Sequence, residues 1–266
     1  MNMNYKTIQS GFIEIDGLNQ NLNDFSVDEI KSFKAVIIKN LGQIAEKDFV
    51  SFGSKFGPIL PYEGGPIYSF TGEAQDEIEL HYDGISASTP KKNPDWLIFY
   101  VKKASPVENG GAFKVADTET ALKYISEGTR KFLRTTQLQF FGYFADQKKN
   151  KKNDEFSFEV NPIDIFMGRE TLRIFLPSLE DRFIEDSKKI FKGKTLSESI
   201  EIFNDLKKAL YHPDVIHRFS FSDHDVLILN NKFTFHGRER FNQPVLRTLD
   251  RIQTLAADAS EFALKI

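Results

Sequence analysis

The chain has 266 residues, 40% of them hydrophobic and 26 of them phenylalanine, which suits one large domain over residues 1–266 with a sizeable core. Its net charge of −3 gives no basic field that would attract nucleic acid, so we expect no nucleic-acid partner. The absence of cysteine excludes disulfides, thiolate metal sites and cysteine nucleophiles, and it is compatible with the cytoplasmic location that we predict.

Hydrophobic periodicity and turn-forming residues predict a series of short strands with a few helices. In chain order these are a strand over 35–38, a helix over 44–56, strands over 96–101 and 112–117, a helix over 119–134, strands over 136–144, 156–160 and 172–176, a helix over 196–210, and strands over 215–221, 225–229 and 245–255. Many short strands with peripheral helices predict a mainly β fold, a double-sheet jelly roll, and not an alternating α/β fold.

Two segments lack this periodicity. Residues 61–77 are rich in turn-forming residues, and we predict a lid or substrate loop at about 58–80. A lysine-rich stretch at about 146–155 also contains acidic residues, and we interpret it as a flexible, solvated loop. Residues 1–17 contain no signal-peptide stretch, and no segment has the roughly 20 apolar residues of a membrane span. We therefore expect no membrane partner, and the formation of a homo-oligomer is left open.

His81 and Asp83 are separated by one residue. On an extended strand such residues share a face, so an imidazole and a carboxylate can converge on one metal ion. Gly84 then lets the chain turn away close to the site. Such a pair also occurs by chance, and the alternative is a strand-end histidine beside a surface aspartate.

His236 can complete this pair. It follows an apolar strand and an Asn-Asn turn, where its side chain could project into the mouth of a barrel. Two imidazoles and one carboxylate make the facial triad of non-haem iron(II) oxygenases. Zinc accepts the same ligands, so the triad alone does not name the metal. Three other histidines fit a site less well: His212 at a helix end, His217 as a surface or satisfied residue, and His224 in a solvated turn.

Arg247 helps to distinguish an iron site from a zinc site. It lies eleven residues after His236, on what we predict to be the return strand beside the strand of that histidine. An arginine buried in a barrel needs an anion, and its planar fork matches a carboxylate. Arg251 should point to the same face, so the two arginines and a metal could hold a dicarboxylate. The alternative is that each arginine points outward and pairs with Glu239 or Asp250.

Taken together, these motifs resemble the TauD/TfdA family of iron(II)- and 2-oxoglutarate-dependent dioxygenases over about residues 30–255. The motifs are His81-x-Asp83, the glycines at 110–111, the segment SFSDHDVLILNN before His236-Gly-Arg, and Arg247 with Arg251. The resemblance implies a double-stranded β-helix, the clavaminate synthase-like variant of the jelly roll.

The resemblance also implies roles for individual residues. His81, Asp83 and His236 would bind Fe(II), and Arg247 would bind the distal carboxylate of the cosubstrate 2-oxoglutarate, with O₂ as the oxidant. Arg251 corresponds to an arginine near the cosubstrate and the anionic group of the substrate.

Phe113 is a departure from the family pattern. After the two glycines the family often has a threonine whose hydroxyl helps to hold 2-oxoglutarate, so another donor, such as Thr118 or Asn230, would have to replace it. Asp83 bears on the reaction, because relatives that halogenate have Gly or Ala there. Its carboxylate therefore favours hydroxylation or a related oxidation.

The substrate is predicted from the turn-rich segment. Tyr62, Glu63, Tyr68 and Phe70 occupy the place where relatives keep substrate contacts, although ordinary packing of a lid is the alternative. They suit a small polar molecule whose acid group meets Arg251, and we predict hydroxylation of an unactivated C–H bond in an amino acid or a derivative. Alternatives are desaturation or another oxidation of an amino-acid-derived metabolite of an isonitrile-type pathway, a non-catalytic jelly-roll binding protein, and a zinc hydrolase.

Overall fold

The computed structural model of the protein describes residues 5–9, 11–62, 65–74, 76–84, 93–142, 156–174 and 191–258. The strands are β1 Tyr5–Gln9, β2 Phe12–Asp16, β3 Ala35–Lys39, β4 Tyr68–Ala74, β5 Ile78–His81, β6 Trp96–Lys103, β7 Phe113–Asp117, β8 Leu138–Gly142, β9 Phe156–Val160, β10 Ile163–Phe166, β11 Arg169–Leu172, β12 Ile216–Phe219, β13 Val226–Asn230, β14 Thr234–Arg238 and β15 Val245–Thr254. The α-helices are α1 Val27–Ile30, α2 Glu46–Ser54, α3 Thr118–Ala121, α4 Glu127–Thr135 and α5 Leu196–Leu210.

Two sheets enclose the main core. The larger sheet has the strand order β1-β2-β3-β13-β6-β15-β4, and the smaller has the order β12-β7-β14-β5. The space between them is filled by apolar side chains from both sheets, among them Leu97, Phe99, Phe113, Val115, Leu227 and Leu229. This arrangement confirms the predicted mainly β fold, a double-stranded β-helix with peripheral helices.

Successive side chains of each strand point to opposite faces of the sheet, so each strand contributes to two different layers of the core. In β13, Leu227 and Leu229 face the space between the sheets, whereas Val226 and Ile228 join the cluster that packs against α2 outside the larger sheet. Helices α3 and α5 cover the outer face of the smaller sheet through a third cluster, which includes Phe235. Within the described ranges, no helix is both long and apolar enough to cross a membrane.

Capping residues decide where the helices begin. α5 occupies 196–210, as predicted, and α2 is shorter than the predicted 44–56. The prediction of one helix over 119–134 was wrong, because the segment contains a second N-cap residue. The side chain of Asp117 caps α3 and that of Ser126 caps α4, each by accepting backbone N–H groups of the first turn.

The turn-rich segment is more regular than predicted. β4 pairs with β15 at the edge of the larger sheet, and β5 pairs with β14 at the edge of the smaller one. The prediction of a loop at 58–80 was therefore wrong for residues 68–74 and 78–80, which form strands, because flanking Pro and Gly residues masked the alternation in β4. Residues 63, 64 and 75 and the lysine-rich stretch at 146–155 lie outside the described residues.

Further strands had no counterpart in the prediction. β14, which carries His236, is fully buried, although the sequence predicted only a strand end there. β10 and β11 form a hairpin where only a strand over 172–176 was predicted.

Candidate active site

His81 and His236 lie opposite each other on neighbouring strands. His81 is the last residue of β5 and pairs directly with His236 of β14, with the ring centroids 4.3 Å apart. Asp83 lies in the turn after β5. The structure therefore brings the three predicted ligands together on the smaller sheet.

The distances between the three side chains suit one metal ion. Asp83 Oδ1 lies 3.4 Å from His81 Nε2 and 3.9 Å from His236 Nε2, and all three ligand atoms lie within 4.8 Å of one another. Ligands bound at right angles about 2.1 Å from a metal are separated by about 3 Å, so a small inward movement would complete the site. Two imidazoles and one carboxylate, without thiolate, fit Fe(II).

Gly237 makes the close approach of β5 and β14 possible. A Cβ atom at this position would lie 2.5 Å from the carbonyl oxygen of Ile78 and 2.9 Å from that of Glu79. Any larger residue would have to move the strand that ends in His81.

We expect Gly237→Ala to lower the free energy of unfolding by about 1–3 kcal/mol, the usual cost of overpacking, and to weaken metal binding by displacing His81. Urea unfolding and metal titration measure the two effects. Gly128→Ala is the matched control, since a Cβ there meets no atom within 4 Å and alanine favours the helix α4. Equal stability of the two variants would contradict the close contact at Gly237.

The second oxygen of Asp83 is held by two side chains of β15. Oδ2 accepts hydrogen bonds from Arg251 Nη1 at 2.7 Å and from Gln253 Nε2 at 2.9 Å, which leaves Oδ1 facing the histidines. Burial opposes ionisation of Asp83, but the positive charge of the adjacent Arg251 outweighs it and holds the pKa of this carboxyl well below its usual range. Asp83 is therefore an anion at neutral pH.

The two imidazoles are oriented differently. His81 Nδ1 donates to the carbonyl oxygen of Glu79 at 2.9 Å, so that in the neutral tautomer the Nε2 lone pair faces Asp83. His236 is 4% exposed, and its Nδ1 has no hydrogen-bond partner among the described residues. Burial, together with the charge of His81, lowers the pKa of His236 to about 3, so this ring is neutral and able to bind a metal at neutral pH.

Arg247 lies on the facing sheet. β15 pairs with β4 and β6, whereas β14 pairs with β5 and β7, so the prediction that Arg247 lies on the strand beside His236 was wrong. The connection after β14 crosses from one sheet to the other, as is common in jelly rolls.

Arg247 is well placed to bind an anion. It lines a cavity with Leu249, Gly110, Gly111 and Phe241, and it forms no ion pair within the part of the chain that the structure describes. Burial and the charge of Arg238 lower the pKa of Arg247 to about 10, so it remains a cation at neutral pH. Such a group could hold the distal carboxylate of a cosubstrate.

Arg251 faces the space between the sheets, where it contacts Asp83. Its hydrogen bond to that carboxylate places it at the triad. The alternative that Arg247 and Arg251 point outward and pair with Glu239 or Asp250 was wrong. Glu239 pairs with Arg218, and Asp250 pairs with Lys102.

Aromatic rings surround the outer side of Arg251. The ring centroid of Tyr68 is 3.9 Å from that of Tyr62 and 4.1 Å from that of Phe70. The guanidinium carbon of Arg251 is 5.3 Å from the Tyr68 centroid and 5.0 Å from that of Phe70. Predicted Glu63 lies outside the described residues. The aromatic cluster Tyr62-Tyr68-Phe70 and Arg251 thus form one surface beside Asp83.

Phe113 packs on the candidate metal ligand His236. Its ring is within 11° of parallel to that of His236, with centroids 5.8 Å apart. Of the two suggested replacement donors, Thr118 is engaged elsewhere, because its hydroxyl bonds to that of Thr171. Asn230 Oδ1 accepts the N–H of Lys232, which does not engage the Nδ2 group that would act as the donor.

The remaining histidines lie apart from the triad. His212 stacks on Tyr124, and His217 packs against Phe219. The prediction that His224 is solvated was wrong, because it is half-buried and its Nδ1 shares a hydrogen bond of 2.9 Å with the Tyr100 hydroxyl.

Sequence reasoning missed several residues at the site. Gln253 was detectable, since it is two residues after Arg251 on one strand and must share its face. Arg238 and Phe241 depend on contacts across the strands, which no local pattern reveals.

Comparison with known proteins supplies the family. The family described as "Taurine catabolism dioxygenase TauD, TfdA family" matches residues 14–253. The chain is 25% identical over 212 residues to a tyrosine isonitrile desaturase of Pseudomonas aeruginosa, covering 77% of this chain and 68% of that protein. It is 22% identical over 232 residues to a 3-((Z)-2-isocyanoethenyl)-1H-indole synthase of Fischerella ambigua, covering 84% of this chain and 82% of that protein.

A solved structure has the same fold. PvcB, described as an Fe, alpha-ketoglutarate dependent oxygenase from an isonitrile synthetic pathway, superposes with a TM-score of 0.73 at 17% identity, covering 94% of this chain and 88% of that one. The family match decides among the oxygenase, the zinc hydrolase and the non-catalytic binding protein. The chain therefore belongs to the TauD/TfdA family and is an oxygenase that depends on Fe(II) and 2-oxoglutarate and uses O₂.

Proposed function

We propose that this oxygenase desaturates a small amino-acid-derived substrate that carries a carboxylate and an aromatic side chain, such as an amino-acid isonitrile. The observation that carries the proposal is the position of Arg251, whose guanidinium contacts both Asp83 and the aromatic cluster. Two relatives named for isonitrile chemistry support this choice of substrate class. We propose desaturation rather than hydroxylation because one of these relatives is a tyrosine isonitrile desaturase.

In this proposal His81, Asp83 and His236 hold the iron. When bound with 2-oxoglutarate and O₂, the iron supplies the oxidant that removes hydrogen from the substrate. Asp83 contributes a negative charge, and the buried His236 contributes a neutral nitrogen. Arg247 holds the distal carboxylate of 2-oxoglutarate, which leaves the keto acid end directed to the triad.

Arg251 and the aromatic cluster position the substrate. Arg251 uses Nη1 on Asp83, and its remaining N–H groups can meet the carboxylate of the substrate. The rings of Tyr68 and Phe70 offer a flat apolar surface for an aromatic side chain. Fixing both ends of the molecule directs the carbon atoms between them to the iron.

The overall reaction balances without a further cosubstrate. One 2-oxoglutarate and one O₂ are consumed, two hydrogens leave adjacent carbons of the substrate, and the products are an alkene, succinate, CO₂ and water. Hydroxylation would consume the same molecules but place one oxygen atom in the product.

A substrate screen tests the proposal. Purified protein with Fe(II) and 2-oxoglutarate is assayed for succinate with tyrosine and tryptophan isonitriles and with the parent amino acids. We expect the isonitriles to raise succinate release at least about tenfold above the uncoupled background, and the product to have lost two hydrogens by mass spectrometry. Stimulation by the parent amino acids alone, with a product that has gained one oxygen, would contradict the proposal and favour the hydroxylase.

Gln253 provides a separate test of the iron site. We expect Gln253→Leu to weaken Fe(II) binding by about 10- to 100-fold, the usual effect of removing a hydrogen bond to a ligand, because Asp83 Oδ2 then loses a donor. Anaerobic titration with Fe(II) measures the affinity. Gln20→Leu is the control, since Gln20 is exposed and its side chain bonds only to the carbonyl oxygen of Asp16. Equal affinities of the two variants would show that Gln253 does not support Asp83.

A further inference from the structure

Arg238 is a buried cation that forms no salt bridge among the described residues, although the charges of Asp76 and Glu77 act on it. Its side chain is 4% exposed, and its two hydrogen bonds go to backbone carbonyl oxygens, from Nη2 to Asp76 at 2.5 Å and from Nη1 to Glu239 at 3.1 Å. Its Nε is buried and has no partner among the described residues. The nearby Glu77 is engaged by the Lys114 ammonium.

The strand register places Arg238 beside Phe113. In the pairing of β14 with β7, Arg238 is directly opposite Phe113, and His236 is opposite Val115. Phe235 and Lys114 on these strands point to the outer face, so Arg238 and Phe113 both point between the sheets. Arg238 and Phe113 are therefore neighbours on the inner face of the smaller sheet.

Arg238 and Arg247 approach the same ring from the two sheets. Their guanidinium carbons lie 4.5 Å and 5.8 Å from the ring centroid of Phe241. Gly111 provides the space for this ring, because a Cβ there would lie 1.9 Å from Phe241 Cε1. Phe241 thus lies beside both guanidinium groups.

Arg238 is buried and Arg247 is half-buried, and neither forms a salt bridge among the described residues. Such cations are costly unless an anion binds to them. Burial and the positive charge of Arg238 both oppose the charged form of Arg247 and lower its pKa. An incoming carboxylate would relieve both costs, and it can accept hydrogen bonds from two arginines at once.

We propose that Arg238 is a second binding residue for the distal carboxylate of 2-oxoglutarate, where it acts with Arg247 and replaces the hydroxyl that is lost at Phe113. This inference rests on the proposed role of Arg247. A positioning role through the Asp76 carbonyl is the rival explanation for Arg238.

A pair of ligands separates these explanations. 2-Oxopentanoate has the same chain and the same metal-binding end as 2-oxoglutarate, but a methyl group in place of the distal carboxylate. The dissociation constants of both are measured on the full-length protein loaded with Mn(II), by calorimetry. For Arg238→Met we expect a loss on the order of 10- to 100-fold in affinity for 2-oxoglutarate and less than about twofold for 2-oxopentanoate. Arg218→Met, at an exposed ion pair with Glu239, is the control and should change neither.

Two further variants keep the test decisive. Arg238→Lys retains the charge and should lose less affinity than Arg238→Met; it also serves if the methionine variant does not fold. Phe113→Thr should restore part of the affinity for 2-oxoglutarate in the Arg238→Met background. Equal losses for both ligands, or no loss for 2-oxoglutarate, would overturn the role of Arg238. If the unmodified protein does not prefer 2-oxoglutarate over 2-oxopentanoate, the proposed role of Arg247 fails instead.

Discussion

Replacing His236 with alanine is expected to abolish turnover and to weaken Fe(II) binding by more than about 100-fold, beyond the effect of losing a supporting hydrogen bond. The reason is that, among the described residues, His81 and His236 supply the imidazole nitrogens near Asp83, and no surface group can replace the neutral, buried ring of His236. Anaerobic Fe(II) titration and succinate release measure the two losses.

Two other variants make this result interpretable. The loss of a buried ring between Phe99 and Phe113 could also unfold the sheet, so His81→Ala, at the half-buried end of β5, is measured in parallel. His217→Ala, on β12, should retain activity because this ring lies away from the triad. Normal iron binding and turnover by His81→Ala would refute the three-residue site.

Replacing Arg247 with methionine is expected to raise the KM for 2-oxoglutarate by about 30- to 5000-fold. Removing one partner of a buried charge pair costs about 2–5 kcal/mol, much of it from leaving the other charge without a partner. In the proposed arrangement Arg247 binds only the distal carboxylate and not the chelating end of the cosubstrate, so activity should be recovered in part at high 2-oxoglutarate concentration.

Steady-state kinetics at varied 2-oxoglutarate distinguishes this effect from a general loss of activity. Arg240→Met is the matched control, because Arg240 is exposed and lies in the connection between β14 and β15. An unchanged KM in Arg247→Met, with a normal KM in the control, would show that the carboxylate binds elsewhere.

Local spacing was sufficient to predict the parts of the site that lie on one short segment. Asp83 is the second residue after His81, at the turn that follows β5. This short distance along the chain brings the two side chains together without any contact from the rest of the fold. Arg251 likewise faces inward as expected from its spacing to Arg247. Where a functional side chain depends only on the period of its own strand, the sequence was a reliable guide.

Contacts between sheets could not be derived in this way. The strand of Arg247 lies opposite that of His236 because the chain changes sheets, and neighbouring position in the sequence does not reveal such a change. The convergence of Arg238 and Arg247 depends on the register of β14 with β7 and on Gly111, whose missing side chain makes room for Phe241. Thr118 was a poor candidate because it lies at the opposite end of β7 from Phe113.

The most direct test of the proposed iron site and of desaturation is a single reaction under ¹⁸O₂. The protein, with Fe(II), 2-oxoglutarate and an aromatic amino-acid isonitrile, should form succinate with one labelled oxygen atom and an alkene without label, and neither should form with His236→Ala. Labelled succinate together with a labelled alcohol would contradict desaturation, and the absence of labelled succinate would contradict an iron site formed by His81, Asp83 and His236.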